Sequence, residues 1–126
     1  PRTERKINEC RLNNLIKDLI VIPPVAYLDM VKLMSCSNLV FTDSGGVQEE
    51  TTILDIPCLT LRENTERPVT IEKGSNQLVG TKQDNILREA KKILSQVGKK
   101  KDRSPPLWDG SAATRIVKTL ENWESP

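Results

Sequence analysis

The sequence predicts a parallel α/β sheet, on three observations. Short apolar runs alternate along the chain with segments of helical period. The runs are continuous, as in strands covered on both faces, and turns bearing proline or glycine separate them. Residues 4–17 (ERKINECRLNNLIK) open the series as a helix with Ile7, Cys10 or Arg11, and Leu15 near one face. Leu19-Ile20-Val21-Ile22, stopped by Pro23-Pro24, reads as a strand buried on both faces. Tyr27, Met30, Val31 and Met34 fall at i, i+3, i+4 and i+7, the spacing of an amphipathic helix. Residues 38–42 (NLVFT) form the second strand, 43–46 a turn opening a helix from about Val47 to Leu54, and 57–61 (PCLTL) the third strand.

A short helix starts at Arg67-Pro68, where proline suits a first helical position, and stops at Gly74. Residues 77–80 (QLVG) are a brief fourth strand. Thr81 with Asp84 has the spacing of a capping box ahead of a helix reaching about Val97, with Ile86, Ala90, Ile93 or Leu94, and Val97 on its face. Residues 98–110 are a loop. Ser111 caps a last helix, about 111–123, that turns Ala113, Ile116 or Val117, and Leu120 inward. Strands and helices alternating at this spacing imply right-handed βαβ units.

Composition narrows the function classes. At 126 residues the chain is one ordinary domain. Lys plus Arg is 19 and Asp plus Glu 17, a net charge of +2, which argues against a nucleic-acid binder resting on many phosphate contacts. The excess is uneven: residues 1–63 carry 7 bases and 9 acids, and residues 64–126 carry 12 and 8. With aromatics at 3%, the core must be aliphatic. Histidine is absent, so this chain contains no Ser-His-Asp triad, no Cys-His pair and no His-containing zinc site. Cys10, Cys36 and Cys58, odd in number and widely spaced, read as buried thiols in a reducing compartment. No apolar run approaches a membrane span, and no signal-peptide pattern is present. The chain opens on Pro1, straight into a charged helical pattern, and reads as a piece of something longer.

The sharpest local feature is Thr42-Asp43-Ser44-Gly45-Gly46-Val47-Gln48-Glu49-Glu50. It lies at the carboxyl end of a strand and the amino end of a helix, where ligands bind open α/β sheets. Two glycines let the backbone approach an anion, the first helical N–H groups point at it, and the Ser44 hydroxyl adds a donor. An ordinary strand–turn–helix with glycines chosen for positive φ explains the spacing equally well. Glu49 and Glu50 favour the helix dipole. A carboxylate one turn into a phosphate-cradling helix also suits a ribose diol, which points to a nucleotide rather than inorganic phosphate. Arg67, at a helix start where its charge opposes the dipole, calls for an anionic partner. A pyrophosphate is one candidate, and a local ion pair with Glu63 or Glu66 is the simpler one. The run Lys99-Lys100-Lys101-Asp102-Arg103 reads as a solvated loop, and Trp108 and Trp123 as packing anchors.

Residues 42–50 (TDSGGVQEE), 65–68 (TERP), 74–80 (GSNQLVG) and 109–117 (DGSAATRIV), with the earlier Tyr27-Leu28-Asp29-Met30, together resemble the C-terminal domain of the non-hydrolysing UDP-N-acetylglucosamine 2-epimerases. The resemblance runs in order over nearly the whole chain. It implies a Rossmann-like three-layer parallel sheet, the partial C-terminal half of a two-domain glycosyltransferase-B-type fold, with residues 1–126 as a single truncated nucleotide-binding domain. It also implies an isomerase that interconverts UDP-N-acetylglucosamine and UDP-N-acetylmannosamine by eliminating UDP to a 2-acetamidoglucal and adding it back. Ser44, Gly45 and Gly46 would hold the pyrophosphate, Glu50 the ribose hydroxyls, and Arg67 the UDP near its diphosphate. Met30 stands where the family usually packs a phenylalanine near the uracil. Other departures are Val25 for a common glutamine, Val69 for an acid, and Leu107-Trp108 for tyrosine-glycine. The family's catalytic carboxylates and histidine belong to the missing N-terminal domain, so no catalytic residue is expected in this chain. No metal, NAD or other cofactor is implied; the parent is expected to be a cytoplasmic homodimer. A catalytically silent nucleotide-sugar-binding or regulatory module is the alternative. A related glycosyltransferase or a hydrolysing relative is disfavoured by Gln48-Glu49-Glu50.

Overall fold

The computed structural model describes residues 2–96 and 104–123. Its elements run α1 (Arg2–Glu9), α2 (Asn13–Ile16), α3 (Tyr27–Ser35), β1 (Val40–Thr42), α4 (Gly45–Ile53), β2 (Cys58–Thr60), α5 (Pro68–Glu72), β3 (Asn76–Leu78), α6 (Gln83–Leu94) and α7 (Ala112–Glu121). The three strands form a parallel sheet in the order β1-β2-β3. Val40, Cys58 and Asn76 share one register row, and Thr42, Thr60 and Leu78 share the row at the carboxyl ends. The expected Rossmann-like α/β class is the observed one.

Because side chains alternate across a strand, β2 sends Leu59 to one face and Cys58 and Thr60 to the other. Leu59 is fully buried and forms the apolar core with Val79 and Ala90, and Leu39, Leu61, Ile86 and Ile93 pack against it. Burial of a side chain such as Leu59 contributes about 1.5–3 kcal/mol. The predicted face of α6 is borne out at Ile86, Ala90 and Ile93; Leu94 is exposed, and Val97 lies outside the described residues. The opposite face of the sheet is polar. Gln48, Thr51 and Thr52 of α4, Thr60 of β2, Thr70 of α5, and Ser75 and Asn76 around the start of β3 are all buried.

Several expectations are corrected. Residues 19–22 are not a strand, and Ile20 is 94% exposed. A strand buried on both faces needs a neighbour to pair with and layers to cover it; among the described residues neither meets this run, and Pro23 and Pro24 withhold two donors. The first helix is two, because Arg11 takes φ +53° and closes α1, with the Leu12 N–H donating to the Ile7 carbonyl. Leu15 and Cys10 are accordingly exposed. The capping box at Thr81 and Asp84 does not form: α6 starts later, with Lys82 as N-cap and no side-chain cap bond. Ser111 does occupy the N-cap of α7, but its side chain makes no cap bond, and Ile116, Val117 and Leu120 are exposed rather than inward. Of the three thiols only Cys58 is buried; Cys10 and Cys36 are exposed, and all are free. Burial pushes the Cys58 thiol up, against smaller opposing contributions from Thr51 and Thr60. Trp123 is 68% exposed rather than a buried packing anchor, whereas Trp108 is partly buried. The Lys99–Arg103 run lies outside the described residues.

Ahead of α7, Arg115 grips Asp109 through both carboxylate oxygens (3.0 and 2.9 Å) and donates to the Leu107 carbonyl at 2.8 Å. Asp109 also accepts from the Ser111 N–H at 2.9 Å. Arg115 first, then the Ser111 amide, holds the Asp109 carboxyl below the ordinary aspartate range. A depressed folded pKa means that the carboxylate's contribution is complete above the unfolded value of about 3.9 and fades as pH falls through the folded one. A carbon-13 titration of the Asp109 carboxyl should therefore give a midpoint under 3.9. Arg115→Gln should raise it toward the ordinary value, with the Ser111 amide still lowering it, and an unchanged midpoint would show the clamp to be electrostatically idle.

Candidate functional site

The carboxyl end of β1 delivers the chain to Ser44, the N-cap of α4, in extended conformation (φ −89°, ψ 129°). Its N–H donates to Thr42 Oγ1 at 3.0 Å, and its carbonyl accepts from the Gln48 N–H. The Ser44 hydroxyl makes no capping bond, so it remains a donor for something else. Gly45 and Gly46 are the first two residues of the helix rather than part of a preceding turn, and neither has positive φ. Only Gly80 and Gly110 do, among the described glycines. The conformational explanation for the Gly-Gly pair is therefore removed.

No packing constraint replaces it. A Cβ on Gly45 would meet Arg67 Cγ and Nε at 3.8 and 3.9 Å, ordinary contacts, and one on Gly46 would find only Ser44 Oγ at 4.0 Å. Glycine within a helix costs about 0.5–1 kcal/mol relative to alanine. Two glycines with no conformational or steric need leave an open cradle beside helix N–H groups that have no partner within the helix. Such a cradle fits an anion.

Arg67 completes it. The guanidinium reaches across from the loop after β2 to lie against Gly45, and Nε pairs with Glu49 Oε1 at 2.7 Å. Neither the Glu63 nor the Glu66 carboxylate is its ion-pair partner, although Arg67 Nη1 donates to the Glu66 backbone carbonyl at 3.3 Å. Glu66 is taken by Arg62 (2.9 and 3.2 Å), which pulls its carboxyl below the ordinary range. The Arg67–Glu49 pair is partly exposed, at 44% and 37%, and a pair of that kind contributes at most about 1 kcal/mol. It is weak enough for an incoming anion to share the arginine. Glu50, four residues after Gly46 and so on the same helix face, has no ion-pair partner among the described residues. Met30 is separate: it is 39% exposed on α3 and comes within 4 Å of neither glycine's open Cβ position.

Sequence reasoning missed the support beneath this cradle. Gln48 Oε1 accepts from Thr65 Oγ1 at 2.6 Å and from Asn76 Nδ2 at 3.2 Å, and Asn76 also bonds Thr60 and Thr70. The available signal was the density of Thr, Gln and Asn at positions that a helix and a strand turn inward. Among the described residues no group of three or more His, Cys, Asp and Glu is placed to hold a metal ion, and no helix is long and apolar enough to cross a membrane.

A family model described as UDP-N-acetylglucosamine 2-epimerase matches residues 1–121. The chain belongs to the UDP-N-acetylglucosamine 2-epimerase family. Within that family, the UDP-N-acetylglucosamine 2-epimerase of Methanocaldococcus jannaschii is 41% identical over 123 residues, 95% of this chain and 33% of the relative. The Escherichia coli K12 enzyme is 37% identical over 125 residues, 97% of this chain and 33% of the relative. The crystal structure of the Methanocaldococcus jannaschii epimerase in complex with UDP-GlcNAc and UDP superposes with a TM-score of 0.79 at 40% identity, covering 96% of this chain and 33% of that one. That of Neisseria meningitidis bound to UDP-GlcNAc gives 0.72 at 35% identity, covering 86% and 31%. The chain thus spans about a third of the length of the epimerases it matches.

Proposed function

We propose that residues 1–126 form the UDP-binding part of a UDP-N-acetylglucosamine 2-epimerase, a partial C-terminal half of a glycosyltransferase-B-type enzyme. The observation that carries the proposal is the glycine pair opening α4, which has neither a conformational nor a steric reason of its own and lies against Arg67. In this reading the amides of Gly45 and Gly46 and the Ser44 hydroxyl bind the diphosphate, and Arg67 shares its guanidinium between Glu49 and a phosphate oxygen. Glu50 accepts from the ribose hydroxyls, and Met30 adds an apolar contact toward the uracil.

The chemical contribution of this set is to the leaving group. Elimination breaks the bond between the anomeric carbon and the diphosphate oxygen, and negative charge grows on UDP as it departs. Fixed N–H donors and a cation stabilise that charge without reorganising, and loss of one such donor typically raises the barrier by about 3–4 kcal/mol. The same groups hold UDP while the C2 proton is returned on the other face, ready for re-addition. Proton transfer at C2 needs a base and an acid outside this set. The 126-residue chain is accordingly expected to bind UDP weakly and to catalyse nothing alone. A homodimeric cytoplasmic parent belongs to the same proposal.

Titration of the nitrogen-15-labelled chain with UDP tests it. Shifts centred on the Gly45, Gly46 and Arg67 amides are expected. Silence up to millimolar UDP would leave a degenerate module instead. Appearance of the mannosamine epimer when the chain alone is incubated with UDP-N-acetylglucosamine would overturn the division of labour.

A further inference from the structure

We infer that Gln48, Asn76, Thr65 and Thr70 act together as positioning residues for Arg67, by clamping its peptide at both ends. The inference rests on the diphosphate role proposed for Arg67. The Arg67 N–H donates to Thr65 Oγ1 at 3.0 Å, and that hydroxyl in turn donates to Gln48 Oε1 at 2.6 Å. The Arg67 carbonyl accepts from both the N–H and the hydroxyl of Thr70, at 3.1 and 2.7 Å. Thr70 Oγ1 accepts from Asn76 Nδ2 at 3.1 Å, and the same amide nitrogen donates to Gln48 Oε1 at 3.2 Å. Asn76 Oδ1 is itself fixed by the Thr60 hydroxyl at 2.7 Å. Each hydroxyl proton is used once, and each bond has one unambiguous donor and one acceptor.

The two amides tie three elements together: Gln48 stands in the first turn of α4, Asn76 opens β3, and Arg67 immediately precedes α5. Gln48, Thr70 and Asn76 are buried, so their bonds are shielded from competing water. A merely space-filling role is poorly served by these residues. Gln48 Nε2, fully buried, has no hydrogen-bond partner among the described residues, a cost that an apolar side chain of similar size would not carry. What the amide supplies that leucine cannot is the carbonyl oxygen on which the Thr65 and Asn76 bonds converge. Directional networks of this kind fix one geometry where an apolar contact permits several. The geometry fixed here is the reach of Arg67 to Gly45.

The test uses Thr65, whose hydroxyl joins the amides to the Arg67 backbone and whose replacement leaves Gln48 and Asn76 in place. UDP dissociation constants are measured by NMR titration on the full chain for wild type, Thr65→Val, Thr65→Ser, Arg67→Ala, and the Val/Ala double variant. Hydrogen exchange at the Arg67 amide is followed in parallel. Thr65→Val should weaken UDP binding at least five-fold and speed Arg67 exchange. Thr65→Ser should restore both to within about two-fold of wild type. In the Arg67→Ala background Thr65→Val should have no further effect on affinity. Undiminished affinity in Thr65→Val, beside a loss in Arg67→Ala, would overturn this inference alone. So would a Thr65→Val effect that persists without Arg67, because a general loss of structure behaves that way. Absence of UDP binding by the wild-type chain would overturn the diphosphate reading, and the positioning role with it.

Discussion

Gly46→Ala should make the chain more stable and weaken the UDP binding proposed for it. The two effects have opposite signs because they come from different partners. Gly46 has a backbone conformation that alanine adopts freely, and the space for a methyl group is open, with only Ser44 Oγ at 4.0 Å. Replacement therefore removes conformational freedom from the unfolded chain at no steric cost, a gain of about 0.4–1 kcal/mol. For a chain of this size that is a rise of roughly 2–5 °C in Tm. The methyl group, however, occupies the approach to the first-turn amides. Hydrogen bonds from such donors to a charged oxygen are worth about 1.5–3 kcal/mol each, so UDP affinity should fall at least about ten-fold. Gly45→Ala should behave similarly, with the added consequence of touching Arg67. Calorimetric unfolding and UDP titration on one sample check both halves. A stabilised variant with intact UDP affinity would remove the cradle from the functional account.

Gly74→Ala is the opposite case and should be among the most destabilising single substitutions. A Cβ there would lie 2.5 Å from the Thr70 carbonyl oxygen and 2.6 and 2.7 Å from the Thr52 side chain. Neither neighbour yields cheaply. The carbonyl belongs to the backbone of α5, and Thr52 is fully buried with its hydroxyl bonded to the Gln48 carbonyl at 2.8 Å. Overpacking of this kind costs about 3 kcal/mol, a large part of the 5–15 kcal/mol that holds an ordinary domain together. In urea this appears as a fall in midpoint of roughly 1–2 M with an unchanged slope. A fall of less than about 0.3 M would mean that α5 moves aside freely, and the rigid seating argued for Arg67 would weaken with it.

The contrast between these glycines shows what a sequence does and does not carry. Proline at the start of α5, glycine after its end, and the helical spacing of Ile86, Ala90 and Ile93 are local signals, and the structure follows them. The proposed anion site was readable for the same reason: Ser44, Gly45 and Gly46 are consecutive, and the strand before and the helix after frame them. The reason for the glycines was not readable, because positive φ and open space look alike in letters. The partner of Arg67 was missed because proximity in sequence favoured Glu63 and Glu66, while the fold brought Glu49 across from another helix. Leu19–Ile22 misled because continuous hydrophobicity signals a need for cover without saying that cover is at hand. The amide–threonine support was invisible for a deeper reason. Gln48 and Asn76 are 28 residues apart, and nothing local to either announces the other.

The unequal faces of the small sheet also bear on how the chain responds to temperature. Exposing apolar surface raises heat capacity on unfolding, while exposing amide and hydroxyl surface lowers it. Beneath α6 the first contribution operates; beneath α4 and α5 the second does, and among the described residues more polar side chains are buried than apolar ones. The heat-capacity increment on unfolding should consequently fall short of the usual 12–15 cal/mol/K per residue, roughly. A small increment flattens the stability curve, so the fold whose polar layer seats the arginine should lose stability less steeply on either side of its maximum.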